Sequence, residues 1–264
     1  GSIIGGMYAL GYSSAEMDSI ISNMDWSFYM SNKVDRREVS YEHKSMDSRY
    51  LIDIPFDIPK KINDRLIKGM TEENLEDVTV IGQKSFVNSL PGGYINGNNI
   101  FNMLNSLAVG YQDSINFNNL PIPYACVSVN AMDGSQKIHR DGSLPMAMRA
   151  SMAIPGVFTP VHVGNEVLVD GGMLNNFPVD VCKAMGADII IGVNLSGGLS
   201  SDKDKVSALP GLLGQLFGII TGNQVQAHAQ MCNIYLNPNL KEGGYGTLSF
   251  DKKSIKEIME IGYN

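Results

Sequence analysis

The stretch from Glu166 to Asn194 constrains this chain more than any other. Glu166–Val169 reads as a strand ending on Asp170-Gly171-Gly172. Pro178 then stands at the first position of a helix over Val179–Met185, and Gly186 stops it. Asp188–Asn194 follows as a continuous β-branched run, the pattern of a strand buried on both faces of a parallel sheet. Strand, helix and buried strand in close succession predict an α/β fold with crossover helices.

The flanking segments add helices and short strands. Residues 1–12 are small and apolar with no polar face, which suits a fully buried helix. Gly5 and Gly6 would let it approach a sheet closely, and Gly11 would end it. Ser13 and Glu16 have the spacing of a capping box and open a second helix to about Asn23. A strand is expected near Val39–Tyr41 and another over Tyr50–Phe56. Asn98 or Asn99 caps a helix to about Val109. Pro123–Asn130 reads as a strand, Asp133-Gly134 as a hairpin turn, and Lys137–Arg140 as the returning strand. Leu144–Met152 is helical in composition and is stopped by Pro155-Gly156. Ser196–Lys205 reads as mobile, and Leu209–Ile220 is apolar but broken by Pro210, Gly211, Gly214 and Gly218. That second stretch is either a packed helix or an apolar flap beside a site, within a candidate flap region of 196–230.

Composition removes several functions. The 264 residues suffice for one large domain. Twenty basic against 27 acidic residues give a net charge of −7, which argues against nucleic acid as a partner. No stretch reaches the roughly 20 apolar residues of a membrane-spanning helix. Cys126, Cys182 and Cys232 are too scattered for a disulfide framework or a zinc site, and Cys126 and Cys182 read as small buried hydrophobes. His43, His139, His162 and His228 are isolated and form no metal-binding pair, so each reads as a structural or surface group. No metal or organic cofactor is expected.

Asp170 is the first candidate for chemistry. An acid at the carboxyl end of a strand, followed by two glycines, sits where open α/β sheets place their ligands. Asn175, Asn176, Phe177 and Pro178 follow, with amides that could brace the loop. On spacing alone the same residues read more readily as a plain Asp-Gly turn. The glycine-rich start is the second candidate. It lacks the spacing of a nucleotide loop, and Ser2 has Ile4 where a nucleophile elbow needs glycine. Gly1 can instead be the last glycine of an elbow whose serine lies two residues upstream.

Here a resemblance enters. Gly1–Ser13 resembles the sequence that follows the nucleophile serine in bacterial patatin-like phospholipases. Arg149–Phe158 is similar to their internal signature, and Val169–Gly172 with Asn175–Pro178 to their catalytic-aspartate segment. Met24–Ser27 and Ile261–Tyr263 resemble patatin domains fused to an outer-membrane β-barrel in bacterial autotransporters.

The resemblance implies a three-layer α/β/α fold with a mainly parallel central sheet, over a single domain spanning 1–264. It implies a Ser–Asp dyad that hydrolyses acyl esters of phospholipids or related lipids through an acyl-enzyme. Asp170 carries over as the base, supported by Gly1, Gly171, Gly172 and Asn176. The serine, the oxyanion loop and the first strand have no counterpart in these residues, so the domain reads as incomplete at its N-terminus and inactive alone. Lipid substrate, a membrane surface, a bacterial envelope location and a C-terminal β-barrel follow from the same likeness. Two alternatives stay open: a non-catalytic lipid-binding or scaffold domain, and a doubly wound phosphate- or nucleotide-binding protein. Arg149 is either a helix-surface cation or a lipid-phosphate contact. Met146, Met148 and Met152 read as core.

Overall fold

The hairpin at Asp133-Gly134 organises the centre of the molecule. In the computed structural model Gly134 takes φ +72°, its N–H donates to Asn130 O, and Asp133 Oδ1 accepts from Ser135 N. This turn folds β2 (Cys126–Asn130) onto β3 (Ser135–His139). The structure describes residues 1–33, 95–195, 224–238 and 251–263, together with 215, 218, 219, 222 and 240. The strands expected near Val39–Tyr41 and Tyr50–Phe56, and the mobile stretch Ser196–Lys205, lie outside the described residues. So does Leu209–Ile220, apart from Gln215, Gly218 and Ile219.

In chain order the helices are α1 (Ser2–Ala9), α2 (Ser14–Asn23), α3 (Trp26–Tyr29), α4 (Asn98–Leu107), α5 (Leu144–Ser151), α6 (Val179–Ala184) and α7 (Lys252–Tyr263). The remaining strands are β1 (Ile115–Asn116), β4 (Asp141–Gly142), β5 (Val161–Val163), β6 (Glu166–Asp170), β7 (Ile191–Val193) and β8 (Ile234–Leu236). Two of the expected local signals hold to the atom. Ser13 Oγ accepts from Glu16 N while Glu16 Oε2 accepts from Ser13 N, the reciprocal capping box that opens α2. Gly11, at φ +97°, stops α1, with Gly11 N donating to Tyr8 O and Tyr12 N to Met7 O. The helix over 98–107 is capped by Gly97 at φ +76°, not by an asparagine, and Asn96 Oδ1 accepts from Asn98 N.

The larger sheet has the order β3-β2-β6-β5 and is antiparallel throughout. The expectation of mainly parallel pairing does not describe this sheet. Tight turns at Gly134 and Gly164 (φ +58°) join β2 to β3 and β5 to β6, and a short turn can only reverse the chain, while β6 returns antiparallel to β2 after the long connection through α5. Parallel pairing occurs between β7 and β8. The strand Asp188–Asn194 was expected to be buried on both faces. Ile191 and Val193 are exposed, and only Gly192 between them is buried, close against Phe177 and Cys232.

Helix α5 covers the larger sheet, and α1 and α4 pack on α5. The main core gathers Ile100, Leu104, Phe117, Leu144, Met148 and Phe158, all essentially without solvent access. Helix α1 buries one face rather than all of itself: Gly6, Met7 and Ala9 point in, while Ile4 and Tyr8 stand out. Its glycines meet side chains rather than a sheet. A Cβ on Gly5 would lie 3.3 Å from the Tyr124 ring, and one on Gly6 2.4 Å from Met148 Sδ. Among the described residues no helix is long and apolar enough to cross a membrane.

Candidate active site

Asp170 is the last residue of β6, at the edge where the strand turns into a short 3-10 helix over Gly171–Met173. Its N–H donates to Ala153 O at 3.0 Å, which ties it to the segment after α5. Its Oδ1 accepts from Gly172 N at 2.7 Å, so the side chain caps its own loop. Gly171 is required by space. A Cβ there would lie 2.3 Å from the carbonyl oxygen of Val127, a backbone atom that cannot move aside cheaply. Gly172 is the milder case, its Cβ position lying 2.9 Å from Asn176 Oδ1 and 3.0 Å from Asp170 Oδ1.

The loop is braced from beneath by Asn175. Its N–H donates to Gly171 O, and its side-chain amide donates to Asp180 Oδ1 at 2.9 Å and to Gln136 Oε1 at 3.3 Å. Asp180 in turn lies 3.9 Å from His228 Nδ1, which is 2.6 Å from Phe177 O. A nitrogen that close to a carbonyl carries the proton, so His228 clips the helical residues 224–229 onto the end of the Asp170 loop.

Burial pushes the Asp170 carboxyl up to about 6, and the Gly172 N–H and the amino group of Gly1 pull partly the other way. That places a carboxylate base within reach of neutral pH, where an ordinary aspartate is too weak. The coupling to Gly1 is mutual. Desolvation lowers the pKa of the Gly1 amine while Asp170, and then Cys126, oppose that shift. Gly1, the residue that caps α1, therefore lies near the base of the loop, 169 positions away in the chain. Helix α1 has no side-chain cap and no acid in its first turn, so its positive end is left uncompensated locally.

Around that point the structure gathers Cys126, the small buried hydrophobe the sequence predicts, and two residues to which sequence reasoning gave no role, Tyr124 and Ser128. Cys126 is buried beside Tyr124 and Ser151, and desolvation pushes its thiol up to about 12, so it is packing rather than a nucleophile. Tyr124 is buried as well, and its hydroxyl donates to Ser2 O at 2.8 Å, fastening the start of α1 to β2's approach. Ser128 and His139 are both buried and joined at 2.7 Å between Oγ and Nε2. The strand pattern was visible in the sequence, but the register that brings these residues to Asp170 was not.

Two expectations need correction. Arg149 is not a surface cation: it is 4% exposed, its Nη2 donates to Asn96 O and Thr159 O, and its guanidinium lies 5.1 Å from the Phe158 ring centre. Gly97 packs against the guanidinium, a Cβ there lying 2.4 Å from Arg149 Nε. Cys182 is partly exposed rather than buried, because α6 ends at the surface within two residues of it. The reading of residues 1–6 as a phosphate loop also fails, since they are wound into α1 and Gly5 N donates to Gly1 O in the helical pattern. Among the described residues no group of three His, Cys, Asp or Glu is disposed to hold a metal ion.

Comparison with known proteins bears on this arrangement. The family model described as patatin-like phospholipase matches residues 1–183. An uncharacterized NTE family protein of Mycobacterium bovis is 42% identical over 85 residues, which is 32% of this chain and 15% of that protein. A second such protein, from Mycobacterium tuberculosis, is 41% identical over 78 residues, 30% of this chain and 22% of the relative. Patatin-like phospholipase domain-containing protein 7 of Mus musculus is 27% identical over 169 residues, 54% of this chain and 12% of its own length. The chain thus spans less than a quarter of each of these relatives. The matched span takes in the α1 helix, the buried Arg149 segment and the Asp170 loop together, and the chain belongs to the patatin-like phospholipase family.

Proposed function

We propose that this domain hydrolyses acyl esters of lipids with Asp170 as the base of a Ser–Asp dyad. The serine would stand two residues before Gly1 in a longer polypeptide. The observation that carries this reading is the placement of the start of α1 beside the strands that hold Asp170. Tyr124, just before β2, donates its hydroxyl to Ser2 O at 2.8 Å, and β2 pairs with β6 as far as Asp170. A serine at the turn into α1 would present its hydroxyl to that carboxylate, and the free N-terminal amides of the helix would face the developing oxyanion.

In the first step the serine hydroxyl gives its proton to Asp170, and its oxygen bonds to the ester carbonyl carbon. Collapse of the tetrahedral intermediate releases the alcohol, which takes that proton from Asp170. Water then repeats the sequence on the acyl-enzyme, and Asp170 ends ionised as it began. A raised pKa suits both halves of this cycle, since the group must accept and return a proton near neutral pH. Membership in the family gives the three-layer α/β/α fold and supports a lipid hydrolase role.

The finer reading includes a phospholipid substrate met at a membrane surface, an envelope location and a following membrane β-barrel. The last two rest on the likeness of Met24–Ser27 and Ile261–Tyr263 to barrel-fused patatin domains. The test is hydrolysis of phospholipid vesicles and of a p-nitrophenyl ester by the longer polypeptide and by residues 1–264 alone. Turnover is expected from the longer protein and not from residues 1–264. Near wild-type turnover in the longer protein carrying Asp170→Asn would remove the dyad and favour a non-catalytic or differently built site.

A further inference from the structure

Helices α1 and α4 both end on one pocket of about 250 Å³. Gly11 and Tyr12 line it just past the end of α1, Leu107 and Tyr111 at and beyond the end of α4, and Glu16 from the first turn of α2. Its volume is just under the roughly 300 Å³ at which drug-sized sites begin, which sizes the ligand at a few heavy atoms. The pocket is not part of the Asp170 site. It lies at the opposite end of α1 from Gly1, about 12 Å away along an eight-residue helix.

The charge of this pocket is set by the fold. A helix carries roughly half a negative charge at its C-terminal end, and neither α1 nor α4 has a basic residue in its last turn to offset it. Glu16 adds a full charge. The hydroxyl and the N–H of Ser13 both donate to Glu16 Oε2 and hold the carboxyl below its ordinary pKa. The positive end of α2 cancels part of this field. Among the described residues no Lys, Arg or His lines the pocket.

Hydrogen bonding points to the same ligand by a separate route, because the donors here are already spent. Gly11 N donates to Tyr8 O, Tyr12 N to Met7 O, Tyr111 N to Ala108 O and Glu16 N to Ser13 Oγ. The Tyr12 hydroxyl donates to Leu107 O at 2.9 Å, which leaves its oxygen lone pairs to receive. The Glu16 carboxylate is acceptor only, and the Tyr111 hydroxyl can act either way. An anion would meet a like charge here, and a neutral acceptor would find few donors.

We propose that this pocket binds a protonated primary amine, whose ammonium group donates to the Glu16 carboxylate and to the Tyr12 hydroxyl oxygen. An ammonium brings three donors and no acceptor, the complement of this lining. A quaternary ammonium has the charge without the donors, and a guanidinium is a wider planar fork. The amine is either a small free molecule or the ethanolamine headgroup of a lipid, which end in the same group. Binding here asks nothing of Asp170, so its test and that of the Ser–Asp dyad fail separately.

The first probe is ethanolamine, titrated into 15N-labelled residues 1–264 at pH 7.5 while the amide signals of Gly11, Tyr12 and Tyr111 are followed. These amides are expected to shift saturably, with the affinity about fivefold weaker in Glu16→Gln. Glutamine also completes a capping box, so α2 stays wound and only the charge is lost. Ethylene glycol, similar in size but uncharged, should give no saturable shift, and choline should bind more weakly than ethanolamine. The proposal is overturned by any of three results: no saturation with ethanolamine, equal affinity in Glu16→Gln, or ethylene glycol or choline binding as tightly. Vesicles separate the two sources. Preferential retention on phosphatidylethanolamine over phosphatidylcholine vesicles, lost in Glu16→Gln, assigns the amine to a lipid headgroup. Ethanolamine binding without that preference assigns it to a free amine.

Discussion

The carbonyl oxygen of Val127 occupies the place where a side chain on Gly171 would have to go, 2.3 Å from an ideal Cβ. Val127 lies in β2 and Gly171 directly follows the last β2–β6 pair, Ser128 with Asp170, so the contact cannot relax without disturbing the sheet beside Asp170. Gly171→Ala is expected to destabilise the fold by about 2–3 kcal/mol through overpacking. Gly134→Ala tests the contrast, since Gly134 has open space but a φ of +72° and should cost about 1 kcal/mol. Urea unfolding midpoints of the two variants check the order. Equal midpoints would show that the Val127 contact relaxes.

Asp170 is expected to make the native protein less stable at neutral pH than a neutral isostere would. Its folded pKa of about 6 lies above its unfolded value, so the native state holds the proton more tightly. The cost of burying the charge is absent below the unfolded value of 3.8 and grows as pH rises through about 6. Asp170→Asn should therefore stabilise the chain by about 1–3 kcal/mol at pH 8 and by nothing at pH 3.5. Thermal or urea unfolding at the two pH values reads the difference directly.

His139 has the opposite sign. Its folded pKa of about 4 is below the 6.5 of the unfolded chain, so the unfolded state takes up the proton first. Stability from this group is complete above pH 6.5 and drains away as pH falls toward 4. The loss should be no more than about 3 kcal/mol. His139→Gln keeps an N–H donor but cannot be protonated, and its stability curve should lack that part of the acid slope. A variant with the full wild-type slope would assign the acid sensitivity to other groups.

Arg149 joins two chain segments by their carbonyls, and Thr159 Oγ1 also donates to Asn96 O. Replacing it with Met keeps the volume against Phe158 but removes the Nη2 donor that Thr159 O accepts from. The expected loss is about 1–3 kcal/mol, the usual cost of stripping a buried acceptor. Its guanidinium pKa is lowered only to about 10 by burial, so the loss should not vary between pH 5 and 8. Urea unfolding across that range tests both statements.

What could be read from the sequence was local. The Ser13–Glu16 box, the Gly11 stop and the Asp133-Gly134 turn each depend on neighbours within five residues, and each is found where its residues predict. What escaped was set by partners far away. Arg149 looks like a surface cation on α5 because nothing near it in sequence reveals that Asn96 and Thr159 will enclose it. His139 looks solitary because its partner, Ser128, is assigned by hairpin register rather than by spacing. The antiparallel sheet was missed for a related reason. A run of strand, helix and strand does suggest crossover pairing, but β6 pairs with β2 across nearly forty residues of intervening chain.

The hydrogen bond from Tyr124 to Ser2 joins positions 122 apart in sequence. A chain emerging during synthesis has the start of α1 long before it has Asp170, and α1 has little to hold it until Tyr124, Met148 and the Asp170 loop arrive. Closing so long a loop is among the slowest and most entropically demanding events in folding. Any chemistry that depends on α1 and Asp170 meeting is therefore switched on by the completion of folding itself.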